Sequence, residues 1–320
     1  MRAAVLMNPL SGGADRLPIV CSAINSFLSG YEIVGADLFG GSQLKPDILL
    51  NIQDGPFMEK LTASIDAVSA YHPDLYVVAG GDGIAAYVAD RLLSKDPQCR
   101  PHFVGVAMGT ANVGPIITFT AEELSSLTPA MLHFESCGAV EAFTDGAHAA
   151  YGFNDIVLGN TLLATVNGET CTVSAAAMYK DGSKLPVLPH ANLGDELCIS
   201  KNDKAIPIGL PSTSQIILST VEREKLYGRA VTGVLCLSQG TDEQAAMLLS
   251  QRPLVTISYD PRGYEEFALS SQLLFNKDDR LKVSGLLDDV MIIADGNPIP
   301  LINGGAEFRY LPDIIRIAKI

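Results

Sequence analysis

Over the first third of the chain, short unbroken apolar runs alternate with segments whose apolar residues recur at helical spacing. Ala3–Met7, Leu75–Ala79 and Phe103–Met108 are continuous apolar runs and read as buried strands. Each leads into a glycine-containing turn. The first two turns are followed by predicted amphipathic helices over roughly Pro18–Leu28 and Ile84–Leu93, the second with Ile84, Val88 and Leu92 on one face. Strands that are apolar on both faces and alternate with helices imply a parallel sheet built from βαβ units. Thr120-Ala121-Glu122-Glu123 then has the form of a capping box and predicts a short helix ending near Pro129.

Beyond this point the pattern changes to many short strand-like segments separated by turn dipeptides. Asn167-Gly168, Asp181-Gly182, Asn202-Asp203 and Asp295-Gly296 read as hairpin turns, so the region is expected to be largely antiparallel. Thr241-Asp242-Glu243-Gln244 predicts one further helix running to Ser250. The expected fold is an α/β domain with a parallel sheet over residues 1–125, followed by a mainly antiparallel, β-rich domain over 126–307. The strand-like segment Phe308–Ile320 is expected to return to the first domain.

A chain of 320 residues suits two domains with substantial interiors, and 48% hydrophobic against 18% charged residues marks a folded globular protein. The 36 acidic and 22 basic side chains give a net charge of −14, which opposes general nucleic-acid binding and adsorption to anionic membranes. Aromatic residues amount to 7%, without Trp, and offer no stacking platform for single strands. The cysteines are scattered without a C-x-x-C pair and the histidines lack metal-ligand spacing, as expected of free thiols in a reducing compartment. No apolar run reaches membrane-spanning length. The expected location is the cytoplasm.

The chemistry concentrates in the turns Asn8–Gly13, Gly80-Gly81-Asp82-Gly83 and Gly109-Thr110-Ala111-Asn112. Ligands of open α/β sheets bind at the carboxyl ends of the strands, where these turns would meet. Glycines let backbone amides approach phosphate, and the helices after Gly13 and Gly83 add their positive ends. A carboxylate among phosphate-binding amides is explained if Asp82 takes a proton from a substrate hydroxyl or holds Mg²⁺ against phosphate. The sequence contains neither a P-loop nor a G-x-G-x-x-G after the first strand.

These turns, in order and context, resemble the N-terminal motifs of the NAD kinase and diacylglycerol kinase superfamily. Gly152-Phe153-Asn154-Asp155-Ile156-Val157 is similar to the Asn-Glu motif that opens the second domain of NAD kinases, and Ile293-Ala294-Asp295-Gly296 to an Asp-Gly turn near the C-terminus of both branches. The opening Asn-Pro loop is most similar to that of the ATP-NAD kinase-like proteins of acetoin catabolism (AcoX). The resemblance implies an ATP- and Mg²⁺-dependent phosphotransferase acting on NAD or a related small nucleotide. Asp82 would be the catalytic base. Asn8, Gly12, Gly80, Gly81, Gly83, Gly109, Thr110 and Asn112 would form the ATP phosphate pocket, and Asn154 and Asp155 would bind the acceptor. The superfamily also implies a homo-oligomer.

The sequence departs from the pattern where Ile84 stands in place of Thr after Gly-Gly-Asp-Gly and where Asp155 replaces Glu. The second-domain Thr-Gly-Ser-Thr-Ala-Tyr stretch is also missing, Ser212-Thr213-Ser214 and Ser174–Tyr179 being poor substitutes. A nucleotide-binding regulatory protein without turnover, and a lipid or sphingoid kinase, are the alternative readings. Glu122-Glu123, Asp288-Asp289 and His190 are read as surface or loop residues outside the site.

Overall fold

The computed structural model describes residues 1–9, 11, 16–108, 112, 114–166, 169–221, 244–257 and 266–320. The chain forms two compact units, Met1–Cys137 with Asp313–Ile320, and Gly138–Pro312. The change of pattern at residue 125 therefore precedes the division at 137. The helix expected to reach Pro129 stops at Ser125, and residues 133–137 already belong to a strand. In the C-terminal segment, the part assigned to the first unit begins at Asp313 rather than 308.

In the first unit the strands are β1 (Arg2–Met7), β2 (Glu32–Ala36), β3 (Ile48–Leu50), β4 (Leu75–Gly80), β5 (His102–Ala107) and β6 (Ile117–Phe119). Its helices are α1 (Leu17–Phe27), α2 (Ser42–Leu44), α3 (Phe57–Ser69), α4 (Asp82–Lys95) and α5 (Ala121–Ser125), with a π-type turn at Asp37–Gly41. The strands pair in parallel in the order β3-β2-β1-β4-β5. The chain thus winds outward from β1 on one side and from β4 on the other. A topological switch point lies between β1 and β4, where α/β sheets bind ligands.

Every residue of β4 is buried, and all but Arg2 in β1, as a sheet covered on both faces requires. Pro18 at the start of α1 fills a position whose N–H would have no intrahelical acceptor. The helix buries Val20, Cys21, Ile24 and Phe27 in a core shared with β1, β4 and β5. The Thr120 and Glu123 side chains cap α5 reciprocally, through Glu123 N–H to Thr120 Oγ1 at 3.2 Å and Thr120 N–H to Glu123 Oε2 at 2.8 Å. The last strand, β20, ends beside β5 in parallel register, with Arg316 opposite His102.

The second unit is built from strands, in chain order β7 (His133–Thr144, entering from the first unit), β8 (Ala147–Gly152), β9 (Ile156–Gly159), β10 (Thr161–Val166) and β11 (Glu169–Ser174). There follow α6 (Ala175–Asp181), β12 (Cys198–Lys201), β13 (Lys204–Ile206), β14 (Gln215–Thr220), β15 (Ala245–Ser250) and β16 (Ser270–Phe275). The last are β17 (Leu281–Ser284), β18 (Met291–Ala294), β19 (Asn297–Pro300) and β20 (Ala306–Lys319). An antiparallel sheet in the order β16-β15-β14-β9-β18-β19 forms its centre. The fold is therefore a parallel α/β unit with an antiparallel β-rich unit, as the pattern implies.

Local readings fail at two places. Ala245–Ser250 is not helical but a strand, fully buried and paired on both sides by β14 and β16; Thr241–Glu243, the expected cap, lies outside the described residues. A five-residue apolar run gains more from two-sided burial than a short helix would. Asp181-Gly182 does not turn a hairpin. Gly182, at φ 74°, stops α6 in the left-handed conformation that helix ends and hairpin turns share. Asn202-Asp203 does join β12 to β13, and Asp295-Gly296 joins β18 to β19. Asn167-Gly168 lies outside the described residues, between the paired β10 and β11. Among the described residues no helix is long and apolar enough to cross a membrane.

Candidate functional site

The exits of β1, β4 and β5 meet at the switch point. Asn8 follows β1 and donates its N–H to Ala79 O of β4 at 2.9 Å. Met108, following β5, donates to Gly80 O at 3.0 Å. Gly80 closes β4, Gly81 is the N-cap of α4, and Asp82 is the first residue of that helix. A Cβ on Gly80 would come within 2.6 Å of Ile84 Cγ2, so glycine is what allows Ile84 to close in, while the Asn8 Cβ would lie at an ordinary contact distance of 3.7 Å. A Cβ on Gly81 would stand 3.8 Å from Asn112 Oδ1.

Asp82 Oδ2 accepts the Gly114 N–H at 2.8 Å. This contact ties the carboxylate to the turn after β5. It also requires glycine at 114, where a Cβ would lie 2.9 Å from Asp82 Cγ and Oδ1. The N-terminus of α4 is a favourable place for a carboxylate, because the helix N–H groups point towards it. The same end of a 14-residue helix also favours a phosphate. The structure thus brings together Asn8, Gly80, Gly81, Asp82, Gly83 and Asn112. Gly12, Gly109 and Thr110 lie outside the described residues. Gly114, which sequence reading missed, sits just past the Gly-Thr-Ala-Asn motif, and nothing in its local pattern marks it.

Asn154 and Asp155 lie in the second unit, in the link from β8 to β9. Their conformation is set by Asp295. Asp295 Oδ2 accepts the Phe153 N–H at 2.7 Å, while Oδ1 accepts those of Asn154 at 2.8 Å and Asp155 at 3.1 Å. In return Asp295 N–H donates to Asp155 O at 3.0 Å. The turn that aims this side chain has φ 48° at Asp295 and 82° at Gly296, a tight type I′ hairpin for which Asp-Gly is suited. Asn154 Nδ2 donates to Asp155 Oδ2 at 2.9 Å, and Ser219 Oγ to Asn154 O at 2.7 Å. Asp295 thus organises the Asn-Asp pair. The Asp-Gly dipeptide advertised a turn in the sequence, but not the loop its side chain would hold.

Asp295 as a residue is half-buried, its backbone lying on the hairpin, but its carboxyl group is enclosed by the 153–155 loop. Burial, and then the neighbouring Asp155 charge, push it from 3.8 to about 8, against the pull of the three amides. A carboxyl whose pKa is raised in the folded state binds protons that the unfolded chain has lost. Its contribution to stability therefore falls as pH rises from about 4 to about 8 and is constant above. Wild type is expected to lose stability relative to Asp295→Asn between pH 5 and pH 8 in urea titrations. An unchanged difference over that range would mean that the amides prevail and the group is already ionised.

The residues set aside in the sequence have structural partners. Glu123 belongs to the α5 capping box, and His190 Nε2 contacts Asp289 Oδ2 at 2.8 Å. Among the described residues no three His, Cys, Asp or Glu side chains cluster as a metal site. Mg²⁺ shared with a polyphosphate needs no such cluster, since one carboxylate, phosphate oxygens and water complete its shell. Asp82 at the helix N-terminus fits that requirement.

No family model matches the sequence. An uncharacterized protein of Archaeoglobus fulgidus is 26% identical over 333 residues, which cover 100% of this chain and 98% of that protein. Among known structures, yeast NADH kinase complexed with NADH aligns at a TM-score of 0.57 and 14% identity, covering 100% of this chain and 83% of that one. A diacylglycerol kinase from Bacillus anthracis str. Sterne aligns at a TM-score of 0.54 and 12% identity, covering 99% and 96% of the two chains. The chain has the fold shared by NAD(H) kinases and diacylglycerol kinases.

Proposed function

We propose that this protein is an ATP-dependent phosphotransferase that transfers a phosphoryl group to a hydroxyl of NAD or a related small nucleotide in the cytoplasm. The observation that carries this reading is Asp82, a carboxylate fixed at the N-terminus of α4 by Gly114, among turns from three neighbouring strand ends. Asn8, Gly81, Gly83 and Asn112 would hold the donor phosphates through amides and side-chain amide groups. Asp82 would accept the proton of the attacking hydroxyl. Mg²⁺, carried by the donor phosphates, would offset their charge when bound. Asn154 and Asp155 would bind the acceptor through its hydroxyl or amino groups. The Asn8-Pro9 opening supports a place near the ATP-NAD kinase-like proteins of acetoin catabolism.

The test is incubation with ATP, Mg²⁺ and NAD, with NADP as the product sought. Gly114→Ala is expected to slow transfer roughly tenfold to a hundredfold, because the added methyl displaces the Asp82 carboxylate and small misplacements are costly. Its melting temperature should move far less than that loss suggests. Unchanged kcat in this variant would show that the Gly114 contact does not position the base.

A second reading is favoured by Ile84, whose Cγ2 fills the space over Gly80 where the superfamily places a Thr hydroxyl. A nucleotide-binding regulatory protein would bind ATP or NAD tightly in calorimetry yet transfer no phosphate across a panel of acceptors.

A further inference from the structure

We propose that Asp37 receives the ribose hydroxyls of the donor nucleotide. This rests on the phosphate site proposed above and extends it along the sheet edge. β2 flanks β1 on the side away from β4. Val5 is opposite Gly35 in β2 and opposite Val77 in β4. Continuing that register sets Asp37 level with Met7, one residue before Asn8. The turn that Asp37 opens is pressed against β1. A Cβ on Gly40, where φ is 80°, would lie 2.7 Å from the Met7 Cβ, and one on Gly35 would lie 2.9 Å from Gly41 Cα. Residues with side chains would force this turn away from the switch point.

Asp37 also links the exits of β2 and β3, since its Oδ1 accepts the Ile52 N–H at 3.1 Å. A carboxylate has two oxygens and further lone pairs, so the group remains able to accept from a vicinal diol. With neighbouring strands roughly 4.8 Å apart, the exits of β2 and β4 are separated by roughly 10 Å. A nucleoside triphosphate laid across β4, β1 and β2 would have its terminal phosphates at Gly81–Gly83 and its ribose at Asp37. An acidic residue after the second strand of a mononucleotide-binding half, on the far side of the phosphate turn, is well placed for ribose hydroxyls.

Asp37→Asn separates this role from the tie to Ile52, because the amide oxygen still accepts that N–H while the negative charge is lost. Calorimetry with Mg²⁺ and ATP, 2′,3′-dideoxy-ATP or inorganic tripolyphosphate provides the readout. Wild type should bind ATP roughly tenfold more tightly than dideoxy-ATP, as charge-assisted hydrogen bonds allow. Asp37→Asn should weaken ATP to the level of dideoxy-ATP and leave dideoxy-ATP and tripolyphosphate unchanged. Equal binding of ATP and dideoxy-ATP by wild type, or equal weakening of all three by the variant, overturns the assignment while the phosphate site stands. If wild type binds none of the three, the phosphate-site reading is lost as well.

Discussion

Asp82→Asn is expected to lower the transfer rate by about a thousandfold, within the range a positioned general base contributes. The amide cannot take a proton from the acceptor hydroxyl, but its oxygen can still accept the Gly114 N–H that holds the side chain in wild type at 2.8 Å. The melting temperature should therefore remain near that of wild type. The loss should appear in kcat, with the KM for either nucleotide moving only a few-fold, because the interaction removed belongs to the transition state. Full activity in this variant would remove Asp82 as the base. A rise in KM alone would reassign it to ground-state binding.

The second large effect is structural and lies in the other unit. Asp295→Ala deprives the N–H groups of Phe153, Asn154 and Asp155 of their common acceptor. Each orphaned donor costs about 1–3 kcal/mol when buried, and the half-exposed setting lets water recover part of this, so a loss of roughly 3–5 kcal/mol is expected. Asp295→Asn retains one acceptor oxygen and should lose less. The Ala variant should also bind the acceptor nucleotide poorly, because Asn154 and Asp155 owe their backbone conformation to these bonds. Chemical denaturation together with acceptor titration checks both parts. A stable Asp295→Ala protein with unchanged acceptor affinity would mean that the loop holds itself.

Much of this was legible locally. Ala3–Met7, Leu75–Ala79 and Phe103–Met108 are apolar on both faces, and that composition suits an interior parallel strand. The glycines of the Gly80–Gly83 turn have no side chain to pack and so mark where backbone must come close. The Thr120 capping box appeared as read because both of its hydrogen bonds close within four residues. The Thr241–Gln244 signal led to a wrong helix for the same reason. It describes a local preference, and the six buried residues that follow answer to β14 and β16 instead. Asp181-Gly182 misled because left-handed backbone ends helices as readily as it reverses hairpins.

The sequence by itself determined three strands of the parallel sheet, β1, β4 and β5, where glycine turns follow them, and that a lone carboxylate belongs to those turns; β2, β3 and β6 it left unread. These are properties of residue type and spacing along the chain. Only the tertiary structure decided that β1 and β4 are neighbours, that Gly114 grips Asp82, and that Asp295 reaches across 140 residues to shape the Asn154-Asp155 pair. Strand order and such distant hydrogen bonds depend on loop closure and on which apolar faces bury each other. Neither leaves a periodic mark on the chain.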